Sequence, residues 1–242
     1  MENKANSSAM DRLQQMAGLD NIKKQFERYL YAFKHYRDGI GVPFRPHMVF
    51  MGNPGTGKTT VARLFAEILH EEGLLPQGQF VEATPADLIG QYIGQTRVKA
   101  GALCDRAKGG VLFIDEAYGL MSGVNDNGNA DFGKEAIEVL LQFMENSDSL
   151  VILAGYPEET MRLINEGNPG FKSRFDESLG FFHFEDYEHQ EDGNIDVDCI
   201  PEQNRIPEVN KEQLKEELML LANELQEKLQ QLQSKLNELS EE

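Results

Sequence analysis

An apolar run, His47-Met-Val-Phe-Met51, leads directly into Gly52-Asn-Pro-Gly-Thr-Gly57-Lys58-Thr59-Thr60, and a helix-period run carrying Val61, Leu64, Phe65, Ile68 and Leu69 follows. Few patterns restrict a chain more. This glycine, lysine and threonine spacing between a strand and a helix is that of a phosphate-binding loop. Its glycines let backbone N–H groups close around phosphate oxygens, and the helix N-terminus adds a partial positive charge. Asn53, Pro54, Gly55, Thr56, Gly57, Lys58, Thr59 and Thr60 are thereby the expected nucleotide-binding segment. Lys58 is expected against the β- and γ-phosphates, and the Thr59 hydroxyl on Mg²⁺. A bare glycine turn is the alternative, and the flanking strand and helix argue against it.

The rest of the chain repeats the strand–helix alternation. Runs 47–51, 79–83, 111–115, 150–154 and 179–184 read as strands; 21–37, 58–72, 96–107 and 134–145 read as helices. Val111-Leu-Phe-Ile114 and Leu150-Val-Ile-Leu-Ala154 are apolar without alternation, as in central strands buried on both faces of a parallel sheet. The expected fold is α/β: a P-loop NTPase domain with a doubly wound, parallel five-stranded sheet, followed by a long C-terminal helix. Ligands of such sheets sit where the carboxyl ends of the strands meet loops.

Asp115 and Glu116 close the third apolar run. An acid at the end of a buried strand is costly unless it meets a cation. Asp115 is therefore expected to share with Thr59 the Mg²⁺ of a bound ATP. Glu116, beside it, is expected to polarise a water for attack on the γ-phosphate. The plainer alternative is a pair of solvated acids at a strand end.

Taken in order, GNPGTGKTTVARLFAEIL, DLIGQYIGQT, FIDEAYGL, ILAGYPEE and NPGFKSRF resemble the CbxX/CfxQ branch of the AAA+ ATPases, which includes red-type Rubisco activases and the stage V sporulation protein K group. The resemblance runs from about residue 10 to about residue 187. It implies an AAA+ fold and ATP-driven remodelling of a protein partner by a homo-oligomeric, hexameric ring. It also implies residue roles. Gly18 falls at the turn that approaches adenine, and Tyr92 and Ile93 match an aromatic pore loop that grips polypeptide. Arg174 matches the arginine finger that reaches a neighbouring subunit's γ-phosphate, and 121–133 resembles a second pore loop. Where the family usually has a polar sensor Asn, this chain has Tyr156. Residues 185–242 do not resemble the family's helical lid, and Arg205 is their only arginine.

The chain has 242 residues and a net charge of −18. Residues 185–242 hold 17 acidic and 5 basic side chains, leaving 24 and 18 for residues 1–184. Such an acidic surface repels phosphate backbones, so nucleic acid is not an expected partner. No apolar run approaches the ~20 residues of a membrane span. The N-terminal residues lack a signal core, and Cys104 and Cys199 are too few for a disulfide scaffold, so a cytoplasmic, reducing location is expected.

The division expected is 1–20 for an N-terminal extension and adenine-side turn, 21–187 for the ATPase domain, 188–210 for an acidic linker and 211–242 for an amphipathic helix. Leu214, Leu218, Leu221, Leu225, Leu229, Leu232, Leu236 and Leu239 are spaced 4, 3, 4, 4, 3, 4 and 3, a heptad seam with one stutter. Three readings stand at this point. The chain is an ATP-hydrolysing remodeller, a lid-less nucleotide-binding module whose C-terminal helix recruits a partner, or an oligomerisation device that nucleotide merely stabilises.

Overall fold

The computed structural model describes residues 8–40, 44–121 and 132–185. The expected linker and C-terminal helix, nearly all of the second pore loop, and Cys199 lie outside the described residues.

Five strands form one parallel sheet: β1 (Met48–Gly52), β2 (Phe80–Ala83), β3 (Val111–Ile114), β4 (Leu150–Gly155) and β5 (Phe181–Phe184), in the order β2-β3-β4-β1-β5. The pairs Met48 with Ile152, Val49 with Phe181, Val111 with Leu150 and Phe80 with Val111 fix the register. Each expected strand is present within two residues of its expected limits.

The unbroken apolar runs are explained by a core on each side of the sheet. Met48, Phe50, Phe113 and Ile152 point to one side, where α1 (Ala9–Gln15), α2 (Asp20–Arg37) and α3 (Lys58–Glu71) pack. Val49, Met51, Leu112, Ile114 and Leu153 point to the other. There they meet α5 (Gln95–Ala107) and α6 (Phe132–Asn146), with the four-residue α4 (Pro85–Leu88) preceding α5. The Phe65 ring of α3 stacks on Phe26 of α2 at 3.5 Å between centroids and meets Phe50 of β1 edge-on at 5.7 Å. Truncating such a buried ring to alanine costs about 3–5 kcal/mol.

Three features lie beyond the sequence reading. Helix α1 is closed by a capping box, in which the Ser8 hydroxyl accepts from the Asp11 N–H and the Asp11 carboxylate from the Ser8 N–H. After β4, the chain runs through α7 (Pro157–Arg162), one π turn (Leu163–Gly167) and α8 (Pro169–Lys172). The outer edge of β5 is also covered: the Gln25 amide donates to the carbonyls of Leu179 and Phe181 at 3.1 and 2.6 Å. Open strand edges invite pairing with another chain, and a side-chain donor across the carbonyls blunts this one. Among the described residues, no helix is long and apolar enough to cross a membrane.

Candidate functional site

The loop after β1 turns through two left-handed glycines, Gly55 (φ 83°) and Gly57 (φ 89°), and the second is the N-cap of α3. A glycine cap offers no side-chain acceptor, so the first amides of α3 are left for a ligand. Inside the loop, the buried Thr56 hydroxyl donates to the Asn53 carbonyl at 2.8 Å. The Lys58 ammonium donates to the carbonyls of Gly52 and Asn53 at 2.7 and 2.8 Å, which folds it back over the loop. Gly52 is required for contact rather than for rotation: a Cβ there would lie 2.5 Å from the Phe184 carbonyl oxygen.

Strand β3 ends beside this loop. The Asp115 N–H donates to the Ala83 carbonyl at 2.9 Å, continuing the sheet, and Asp115 Oδ1 accepts from the Glu116 N–H at 3.0 Å. Glu116 has φ 50°, a left-handed backbone that costs a side-chain-bearing residue about 1–2 kcal/mol. The turn ends the strand at once and leaves the Glu116 side chain exposed, next to the half-buried Asp115. A 3₁₀ turn, Ala117–Met121, follows and carries Tyr118. Its ring lies 5.9 Å from that of Tyr156, between centroids. Desolvation, and then the negative charge of Glu116 and neighbouring groups, raises the Tyr118 hydroxyl above its ordinary pKa and keeps it a proton donor.

These pieces enclose one cleft of about 350 Å³, lined by Gly52, Pro54, Gly55, Gly57, Lys58, Thr59, Thr60, Asp115, Glu116, Tyr118, Gly155 and Tyr156. It lies at the carboxyl ends of β1, β3 and β4, where β1 and β4 adjoin and the strand order reverses. The expected residues Pro54, Gly55, Gly57, Lys58, Thr59, Thr60, Asp115 and Glu116 are thus brought together. Asn53 and Thr56 brace the loop from behind, and Tyr118, Gly155 and Tyr156 are additions.

Other expected residues stand away from the cleft lining. Gly18 (φ 66°) and Leu19 (φ 62°) form a left-handed turn between α1 and α2, and the Lys23 ammonium ties down its approach by donating to the Gln14 and Met16 carbonyls at 3.2 and 2.7 Å. Tyr92 and Ile93 are 69% and 84% exposed, an unusual placement for two large apolar side chains in sequence. Arg174 follows α8, donates to the Glu145 carboxylate and the Ser173 hydroxyl, each at 3.0 Å, and keeps a buried Nε without a partner among the described residues.

The segment that bears Arg174 is anchored by a residue that sequence reasoning missed. His47 is buried, and its Nδ1 accepts from the Val151 N–H at 3.1 Å. Its Nε2 faces the Met144 carbonyl at 3.1 Å, so Nε2 carries the proton. Bridges from Pro46 and His47 to Phe175 join this imidazole to the Arg174 segment. Burial lowers its pKa to about 4, with the Met144 bond opposing and the Arg174 charge assisting.

The profile of the family described as ATPase family associated with various cellular activities (AAA) matches residues 48–182. Protein CfxQ of Xanthobacter flavus is 52% identical over 144 residues, which are 59% of this chain and 44% of that protein. Stage V sporulation protein K of Bacillus subtilis (strain 168) is 43% identical over 173 residues, 69% of this chain and 52% of that protein. The chain spans about half the length of these curated relatives. A chain of the E. coli MS115-1 HORMA:CdnC:Trip13 complex aligns with a TM-score of 0.50 at 14% identity, covering 74% of this chain and 66% of that one. At that identity the likeness concerns the fold alone.

Proposed function

Because the chain belongs to the AAA family of ATPases, of the CbxX/CfxQ type, we propose that its cleft binds Mg-ATP and hydrolyses it to remodel a partner protein. The observation that carries the reading is a single cleft in which the uncapped start of α3 and Lys58 face Asp115 and Glu116. Backbone amides of the loop hold the phosphates, and Lys58 turns from its own carbonyls to the β- and γ-phosphates. Thr59 and Asp115 suit Mg²⁺, which takes one or two protein oxygens and completes its shell with phosphate and water. Mg²⁺ there supplies charge neutralisation on the phosphate oxygens. Glu116, in the cleft lining at the end of β3, accepts a proton from the attacking water.

Arg174 stands away from its own chain's cleft lining, as suits a group that completes a neighbour's site in a homo-oligomeric ring. Tyr92 and Ile93 are exposed, as suits a loop that grips an unfolded segment in the pore. Steady-state ATP turnover, measured across protein concentrations, tests the reading. Turnover per chain rises with concentration, and Glu116→Gln abolishes it while ATP still binds. A background rate at every concentration refutes the remodelling reading. The leucine seam at 211–240 favours a second reading, a nucleotide-binding module that recruits a partner, and that module binds ATP tightly without turnover.

A further inference from the structure

Thr160 of α7 is fully buried, and its hydroxyl has no hydrogen-bond partner among the described residues. A helical threonine ordinarily returns its hydroxyl to the carbonyl four residues back. Here that carbonyl, of Tyr156, accepts the Thr160 N–H at 2.9 Å and the hydroxyl stays apart. Gly155 fixes where the hydroxyl lies. A Cβ at Gly155 would come within 2.6 Å of Thr160 Oγ1 and 2.8 Å of Tyr118 Cδ1. The hydroxyl therefore lies beside the space that a Gly155 side chain would fill, next to the edge of the Tyr118 ring, and Gly155 and Tyr118 both line the cleft. The absent side chain at position 155 is what brings it so near. An unpaired buried hydroxyl is destabilising, and valine would occupy the same volume without that cost.

We infer that the Thr160 hydroxyl donates to an oxygen of the terminal phosphate of a nucleoside triphosphate in the cleft, across Gly155, as the Tyr118 ring turns aside. The inference rests on the nucleotide reading above and adds to it a residue that separates triphosphate from diphosphate.

The test is calorimetric binding of ATP and of ADP to the full chain carrying Glu116→Gln, with and without Thr160→Val or Thr160→Ser. A hydrogen bond to a charged group corresponds to roughly ten- to hundred-fold in affinity. Thr160→Val therefore weakens ATP by about tenfold or more, leaves ADP within about twofold and does not lower Tm; Thr160→Ser retains the ATP affinity. Equal affinities in the valine variant and its parent overturn the inference. So does an equal loss for both nucleotides, or a lowered Tm, because either marks a structural role. A parent that binds neither nucleotide refutes the reading of the cleft itself, and the inference falls with it.

Discussion

Acidification should unfold this domain through His47, and the size of the effect follows from the structure. In an unfolded chain the imidazole titrates near 6.5; here burial holds it at about 4. Between those values the unfolded chain binds the extra proton and the folded chain does not, so stability rises with pH across the window. The contribution is complete above about pH 6.5 and is lost as pH falls towards 4. The loss is about 2 kcal/mol between pH 7 and 5 and about 3 kcal/mol by pH 4. His47 is only 3% exposed, so solvent screening does not reduce these figures much. Urea unfolding followed by circular dichroism from pH 7.5 to 4.5 reads the effect. At a slope of about 2 kcal/mol per molar, the midpoint falls by about 1 M between pH 7 and 5. The comparison is His47→Gln, which does not titrate. His183, whose pKa burial also lowers, is present in both proteins and cancels. The stability gap between parent and variant should narrow as pH falls. A gap that stays constant refutes the assignment of a neutral His47 held between Val151 and Met144.

Three further outcomes follow from particular contacts. Glu116→Gly should be more stable to urea than Glu116→Ala by about 1 kcal/mol, since only glycine adopts φ 50° without strain; equal midpoints would count against a strained turn. Gly52→Ala drives a methyl group against the Phe184 carbonyl and should lower stability by about 3 kcal/mol in the same assay, whereas Gly39→Ala, with open space around it, should cost only the ~1 kcal/mol of its left-handed backbone (φ 72°). The Cys104 thiol is buried and pushed up to about 12, so iodoacetamide at pH 8 should leave it unmodified in the folded protein and label it in urea, as read by peptide mass spectrometry.

The strands were legible because each is a short apolar run, and the loop after β1 because glycine, lysine and threonine recur there at a spacing set by phosphate geometry. Asp115 and Glu116 were legible for a related reason: acids at the end of such a run require an explanation. His47, Gln25 and Thr160 were not. Each acts through groups distant in sequence, His47 on Met144 and Val151, Gln25 on Leu179 and Phe181, Thr160 across Gly155, and no local pattern records such pairings. Helix α1 was missed despite its signal, Ser8 with Asp11 three residues on, because the run it caps is only seven residues long. Tyr118 lay within a quoted motif, yet its place over Gly155 depends on the turn that Glu116 makes.

The order β2-β3-β4-β1-β5 also sets a timetable for synthesis. Strand β1 is made early, but its two neighbours are β4 and β5, and Met48 pairs with Ile152. At about 5–20 residues per second, a ribosome needs roughly 5–20 s to bridge that interval. Throughout it β1 has no strand partner, and the cover open to its apolar side chains comes from α2 and α3, as where Phe50 meets Phe65. The cleft itself is completed only after that interval, when Gly155 and Tyr156 join its lining.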